Sequence, residues 1–200
     1  MKKELLLSLA ILTFISLSVA AQSIESVYTD FDTRKCRHTP GKDVEDYGEW
    51  RCVGYAGISV WMTAGNQRIM VSYGARAKRE PAAKQTLKSF NGEGSKIEWR
   101  IEKDTNGNKN PFATVMRWST TWSDDKGDQI KGQVLVVTRL GPSGVCHVGY
   151  VDGRANPNAN DLARKIADKH ARDFICRRDK PTVLGQTGPG FSEASDFNEN

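Results

Sequence analysis

The sequence predicts an α+β domain: an antiparallel meander sheet of about seven or eight short strands, a short mid-chain helix and a C-terminal helix packed on the sheet. Three observations lead there. Short alternating or continuous apolar runs recur between hairpin-length turns, which favours antiparallel neighbours over parallel ones that need long crossovers. Residues 80–87 open with Pro81 in a first-turn position and are rich in helix formers, enough for about two turns. After Pro157, Leu162, Ile166, His170 and Phe174 recur every four residues with Ala163 and Ala167 beside them, an amphipathic helix whose small residues permit close approach to a sheet.

Taken in order, residues 22–33 carry Val27, Tyr28 and Phe31 as their large apolar side chains and read as a lead-in strand or arm. Cys36 and Cys52 bracket the turn-rich Pro40-Gly41-Lys42-Asp43, and a strand begins near Glu49. Ile58, Val60 and Met62 alternate with Ser59, Trp61 and Thr63, a half-buried strand that turns at Ala64-Gly65-Asn66 into a partner with Ile69, Val71 and Tyr73 on one face. Trp61, facing away from Val60, is available for an exposed binding patch. Beyond the mid-chain helix, Ile97, Trp99 and Ile101 alternate with Glu98, Arg100 and Glu102, a strand with one wet face. Phe112, Thr114, Met116 and Trp118 share a face in the next strand.

The run from 134 to 140 is almost continuously apolar and β-branched, as a strand covered on both faces requires. Gly141-Pro142-Ser143-Gly144 returns it into 145–151, and these two strands are expected near the centre of the sheet. Asn156 caps the last helix, while Asp161 with Lys165 and Asp168 with Arg172 are i,i+4 pairs on its wet side. Glycines and then the acids Glu193, Asp196 and Glu199 mark 181–200 as a disordered acidic tail.

Residues 1–20 read as a signal peptide: Met-Lys-Lys-Glu, an apolar stretch from Leu5 to Val19 and small residues at Ala20 and Ala21. That stretch is too short to span a bilayer comfortably, so no membrane span is expected after cleavage. The remaining unit, residues 22–180, is expected to be a single disulfide-stapled domain exported to the periplasm. Losing Lys2, Lys3 and Glu4 lowers the formal charge from +5 by one, leaving a mildly basic surface with both signs interspersed, so nucleic acid is not an expected partner. Four cysteines in an exported chain read as two bridges. Three connectivities are possible, and Cys36–Cys52 with Cys146–Cys176 is favoured because each closes a modest loop around one supersecondary unit. Each bridge is expected to stabilise the fold by about 3–4 kcal/mol.

The chemistry-bearing residues mostly have structural readings. Cys146 and His147 are adjacent on a strand and point to opposite faces, so they cannot act as a nucleophile and its base. His147 is placed on the face of Val145, Gly149 and Val151 as a packed histidine. A zinc site from Cys146, His147, His170 and Cys176 fails, since six helical positions separate the last two by about 240°. Asp104, Asn106 and Asn108 begin like a calcium loop, but Lys109 and Val115 occupy the positions that need glycine and glutamate. No metal and no cofactor is expected, and no nucleophile elbow, P-loop, dinucleotide fingerprint or His-Glu-x-x-His run occurs.

Cys52-Val53-Gly54-Tyr55-Ala56-Gly57, Val71-Ser72-Tyr73-Gly74, Glu80-Pro81-Ala82-Ala83, Lys96-Ile97-Glu98-Trp99-Arg100, Cys146-His147 and Ala155-Asn156-Pro157-Asn158-Ala159-Asn160 together resemble a family of uncharacterised exported proteins of Gram-negative bacteria, over about residues 28–180. That resemblance implies export and transfers no activity. In size, export and disulfide-stapled strands the chain is also loosely similar to periplasmic lysozyme inhibitors, an analogy at the level of fold. The expected function is a non-enzymatic interaction or envelope-associated domain, inhibitor-like in its most concrete form, with an unknown protein or envelope component as partner. The alternative is a small-ligand carrier or hydrolase with a site assembled from Tyr73, Arg100, Arg117 and His147.

Overall fold

The computed structural model describes residues 23–43, 46–191 and 194–196. The expected signal peptide lies outside the described residues, as do Glu193 and Glu199 of the expected tail. In chain order the strands are β1 (Ser23–Asp30), β2 (Arg37–Thr39), β3 (Asp46–Val53), β4 (Ser59–Gly65), β5 (Arg68–Tyr73), β6 (Gln85–Leu87), β7 (Phe90–Gly92), β8 (Lys96–Lys103), β9 (Lys109–Ser123), β10 (Gln129–Arg139), β11 (Cys146–Asp152), β12 (Thr182–Val183) and β13 (Ala194–Asp196), with helix α1 (Ala159–His170) between β11 and β12.

The α+β class holds, but the strands divide between sheets. One is seven-stranded, ordered β1-β8-β9-β10-β11-β12 with β7 also on β9; a second is β2-β3-β4-β5, and β13 pairs with β6. All pairings are antiparallel except β11 with β12, so the large sheet is mixed.

The two larger sheets sandwich one core, in which Val60, Met62, Ile69, Val71 and Tyr73 meet Ile97, Trp99, Met116, Trp118, Val134, Val136 and Tyr150. The far face of the large sheet packs on α1, where Leu135, Val137 and Val151 meet Ala163, Ile166 and Ala167. That three-layer arrangement accounts for the unbroken apolar run of β10. Val134 and Val136 fill one core, Leu135 and Val137 the other, each such burial contributing about 1.5–3 kcal/mol. Gly149 lets the layers close. A Cβ there would lie 2.5 Å from the Thr182 carbonyl oxygen and 2.8 Å from Ile166 Cγ2.

Both expected disulfides are present, Cys36–Cys52 with Cα atoms 4.6 Å apart and Cys146–Cys176 at 5.8 Å. The second ties the strand beside the sheet centre to the segment that follows α1. Asp104 and Asp124 build matching hairpin loops, each Oδ1 accepting from the backbone N–H groups two and four residues on, at 2.8–2.9 Å.

Several expectations need correction. The mid-chain helix is instead two 3₁₀ turns, Ala77–Arg79 and Pro81–Lys84, followed by β6. Glu80 precedes a proline and is held extended (φ −78°, ψ 152°), and Pro81 has no N–H with which to continue a helix. Asn156 does not cap α1, whose N-cap is Asn158. Its amide donates to the carbonyls of Asp152 (2.9 Å) and Gln186 (2.7 Å), which holds the chain after the helix. The stretch expected to be disordered is placed from 181 to 191: β12 extends the large sheet, Thr120 Oγ1 donates to the Gly190 carbonyl at 2.8 Å, and Phe191 packs on the core. The backbone of 194–196 pairs with β6.

The wet face assigned to β8 is also covered. Glu98 and Arg100 lie under α1 at 6% and 7% exposure, each paired with oppositely charged side chains. Arg100 forks onto Asp168 at 2.6 and 2.9 Å, and Arg164 reaches Glu98 at 2.6 Å, Asp161 at 2.7 Å and Tyr28 Oη at 2.9 Å. The helix acids therefore pair differently from the i,i+4 expectation, with Arg172 turning to Glu102 at 2.8 Å. Bulges change two facings. Phe112 is the extra residue where β9 passes Arg100 and Ile101, and it joins the helix-side core, away from Met116 and Trp118. Val148 is extra opposite Val137 and Thr138, so His147 shares its face with Val145 and Tyr150, while Val151 faces the helix.

Candidate anion-binding cleft

Three adjoining cavities surround the segment from Gly74 to Pro81, and Arg76 lines all of them. The segment leaves β5 at Gly74, whose positive φ of 91° makes the turn and whose N–H donates to Ser59 O at 2.8 Å. Its far end is pinned to the β10–β11 turn. Glu80 Oε2 accepts from Val145 N at 3.0 Å, and Ala82 N donates to Val145 O at 2.9 Å.

The first cavity, about 380 Å³, is lined by Arg51, Ser59, Trp61, Arg76, Lys78 and Arg79. Arg51 and Trp61 sit there because antiparallel register places them directly opposite each other on β3 and β4, on the face turned away from the core of Val60 and Met62. Ala77 and Ala83 pack over the Trp61 ring, leaving it 7% exposed. The exposed aromatic expected from the sequence is thus a covered cavity wall. A second cavity, about 360 Å³, is lined by Arg76, Arg79, Glu80, Pro142, Gly144 and Arg177, beside the Cys146–Cys176 bridge. The third, about 260 Å³, is walled mainly by Ile58, Tyr73, Pro111, Leu140 and Val145.

Charge distinguishes this cleft from a further cavity beside β1. Arg51, Arg76, Lys78, Arg79 and Arg177 converge on it, against one lining carboxylate, Glu80. Lys78 pairs with Glu49, and Arg76 lies 3.8 Å from Glu80, which is itself engaged by Val145 N. Arg51, Arg79 and Arg177 form no ion pair within 4.0 Å among the described residues, although Arg51 interacts electrostatically with Glu49 at longer range. By contrast, the cavity beside β1, of about 420 Å³, has a lining of mixed sign, Asp30, Asp32 and Glu93 against Arg34, Lys35 and Lys96, in which Arg34 pairs with Asp32 and Lys96 with Asp30. Unpaired arginines in a concavity are suited to carboxylate or phosphate oxygens, which a guanidinium fork binds bidentately.

The four residues singled out in the sequence are not brought together. Tyr73 alone lines the cleft, and its burial pushes the phenol up to about 12, so it stays protonated. Arg100 is committed beneath α1, and Arg117 bonds Gln133 at 3.0 Å and Asn160 at 2.9 Å. His147 is fully buried between Trp118 and Tyr150, and desolvation drives it down to about 3. Cys146 is spent in its disulfide. Among the described residues no group of three His, Cys, Asp or Glu side chains is placed to hold a metal ion. The cleft's own residues were missed, although Arg76-Ala77-Lys78-Arg79 carries three cations in four positions, a signal legible in the sequence.

No family model, curated protein or solved structure matches the chain.

Proposed function

We propose that the chain is a non-enzymatic interaction domain of an exported compartment, and that the cleft around Arg76 receives an anionic group of a protein or envelope component. The observation that carries this reading is the convergence of five cations on one cleft, with a single lining carboxylate that is already hydrogen-bonded to backbone. Two disulfides and the resemblance to exported Gram-negative proteins support an oxidising, periplasmic setting. Trp61 gives the site a rigid aromatic wall, of the kind that anchors interfaces at low entropic cost.

The test is amide and indole NMR titration of the oxidised protein with citrate and inorganic phosphate. Saturable shifts are expected at residues 74–81 and at the Trp61 indole, weakening about tenfold in Arg76→Glu/Arg79→Glu and falling with salt. A partner retained from envelope extract at physiological salt by the wild-type protein and lost by the double variant would follow. Shifts that are absent, or unchanged in the double variant, would overturn the reading.

A further inference from the structure

The cationic and apolar cavities adjoin where β5 ends, with Gly74, Ala75 and Arg76 in the walls of both. An anion alone would use only one of them. We infer that the ligand is an amphiphilic anion, with its carboxylate or phosphate held by Arg51, Arg76 and Arg79 and a short apolar arm seated among Ile58, Tyr73, Leu140 and Val145. The inference rests on the anion-binding reading above and adds the chemistry of the ligand's other end.

Three features argue for the apolar arm. The walls are mainly aliphatic and aromatic, the buried Tyr73 phenol is uncharged, and the charged residues that also line the space are Arg76 and Glu80, the latter already engaged by Val145 N. Arg76, which borders both spaces, combines an apolar stem with a charged head in one side chain and is suited to the junction. Size sets the length: 260 Å³ holds roughly nine water-sized groups at about 30 Å³ each, which fits a six-carbon chain or ring and not the tails of a bilayer lipid. Leu140 and Val145 flank the turn that Glu80 and Arg139 hold, through Val145 N and through Ser143 Oγ at 2.7 Å, so this wall is formed before any ligand arrives.

Calorimetric titration of the oxidised full chain with inorganic phosphate, methyl phosphate and hexyl phosphate tests this. Hexyl phosphate is expected to bind at least about tenfold more tightly than methyl phosphate, through burial of the added methylenes. Leu140→Gln should erase that difference while leaving methyl phosphate unchanged, and Leu140→Met should retain it. Equal affinity for the methyl and hexyl esters overturns the inference and leaves the cleft reading standing. Binding of neither ester, nor of phosphate, overturns both. The source of the arm is separated by sedimentation with phosphatidylglycerol vesicles. The protein is expected to stay in the supernatant, and co-sedimentation that Arg76→Glu/Arg79→Glu abolishes would overturn the short-arm assignment.

Discussion

His147 Nδ1 lies 2.9 Å from the Tyr150 hydroxyl, and the two rings meet edge to face at 5.7 Å. Residues three apart on a regular strand point to opposite faces. The extra residue Val148 removes that alternation and stacks His147, Tyr150 and Trp118 in the core between the sheets. The bulge thus determines the protonation of the only fully buried histidine among the described residues, and stability should record it.

His147 has a folded-state pKa pushed down to about 3 by burial, against an ordinary value of 6.5. Between those values the unfolded chain binds the proton and the folded chain does not, so stability is complete above about pH 6.5 and falls as pH drops below it. At pH 5 the loss should be about 2 kcal/mol relative to pH 8, at 1.36 kcal/mol per pH unit. Urea unfolding of wild type and His147→Gln at both values checks this. Identical pH slopes for the two proteins would sink the idea.

The two disulfides close loops of 16 and 30 residues, worth about 3 and 3.7 kcal/mol on the chain-entropy model. Cys146→Ala/Cys176→Ala should therefore cost more than Cys36→Ala/Cys52→Ala, and it also frees the segment behind α1. Thermal melts of each double variant, with and without reductant, provide the comparison. Curves for reduced and oxidised wild type that overlay would refute it.

Arg100 forks onto Asp168, and its loss leaves that carboxylate without its partner beside β8, while Glu98 keeps Arg164. Arg100→Ala should cost about 3–5 kcal/mol, whereas Arg100→Met combined with Asp168→Asn should cost less than the single change. Chemical denaturation of both settles it, and equal losses would show that packing, not charge, holds α1 on β8.

Gly149→Ala places a methyl group against Thr182 O and Ile166 and should cost about 1–3 kcal/mol. Hydrogen exchange should localise the loosening to β12 and α1. A variant as stable as wild type would mean that the helix layer can shift outward freely.

Much of this architecture was legible from residue order alone. Period-two runs at 58–62, 69–73 and 97–101 placed Val60, Ile69 and Ile97 in the core, and the double-sided burial of 134–137 followed from its lack of alternation. Loop size favoured the disulfide pairing that the structure holds, one of three possible, and the helix face followed from its alanines. These are local regularities, expressed in a few consecutive side chains. The division into two sheets, the bulges at Phe112 and Val148, the covering of Glu98 and Arg100, and the cleft around Arg76 depend on residues far apart in the chain. Arg51 and Trp61 meet through strand register, Arg177 arrives through the Cys146–Cys176 bridge, and Leu140 through a turn held by Arg139. A pattern of residues specifies which face of an element is apolar; only packing decides what covers that face and which charges are left without a partner at its edge.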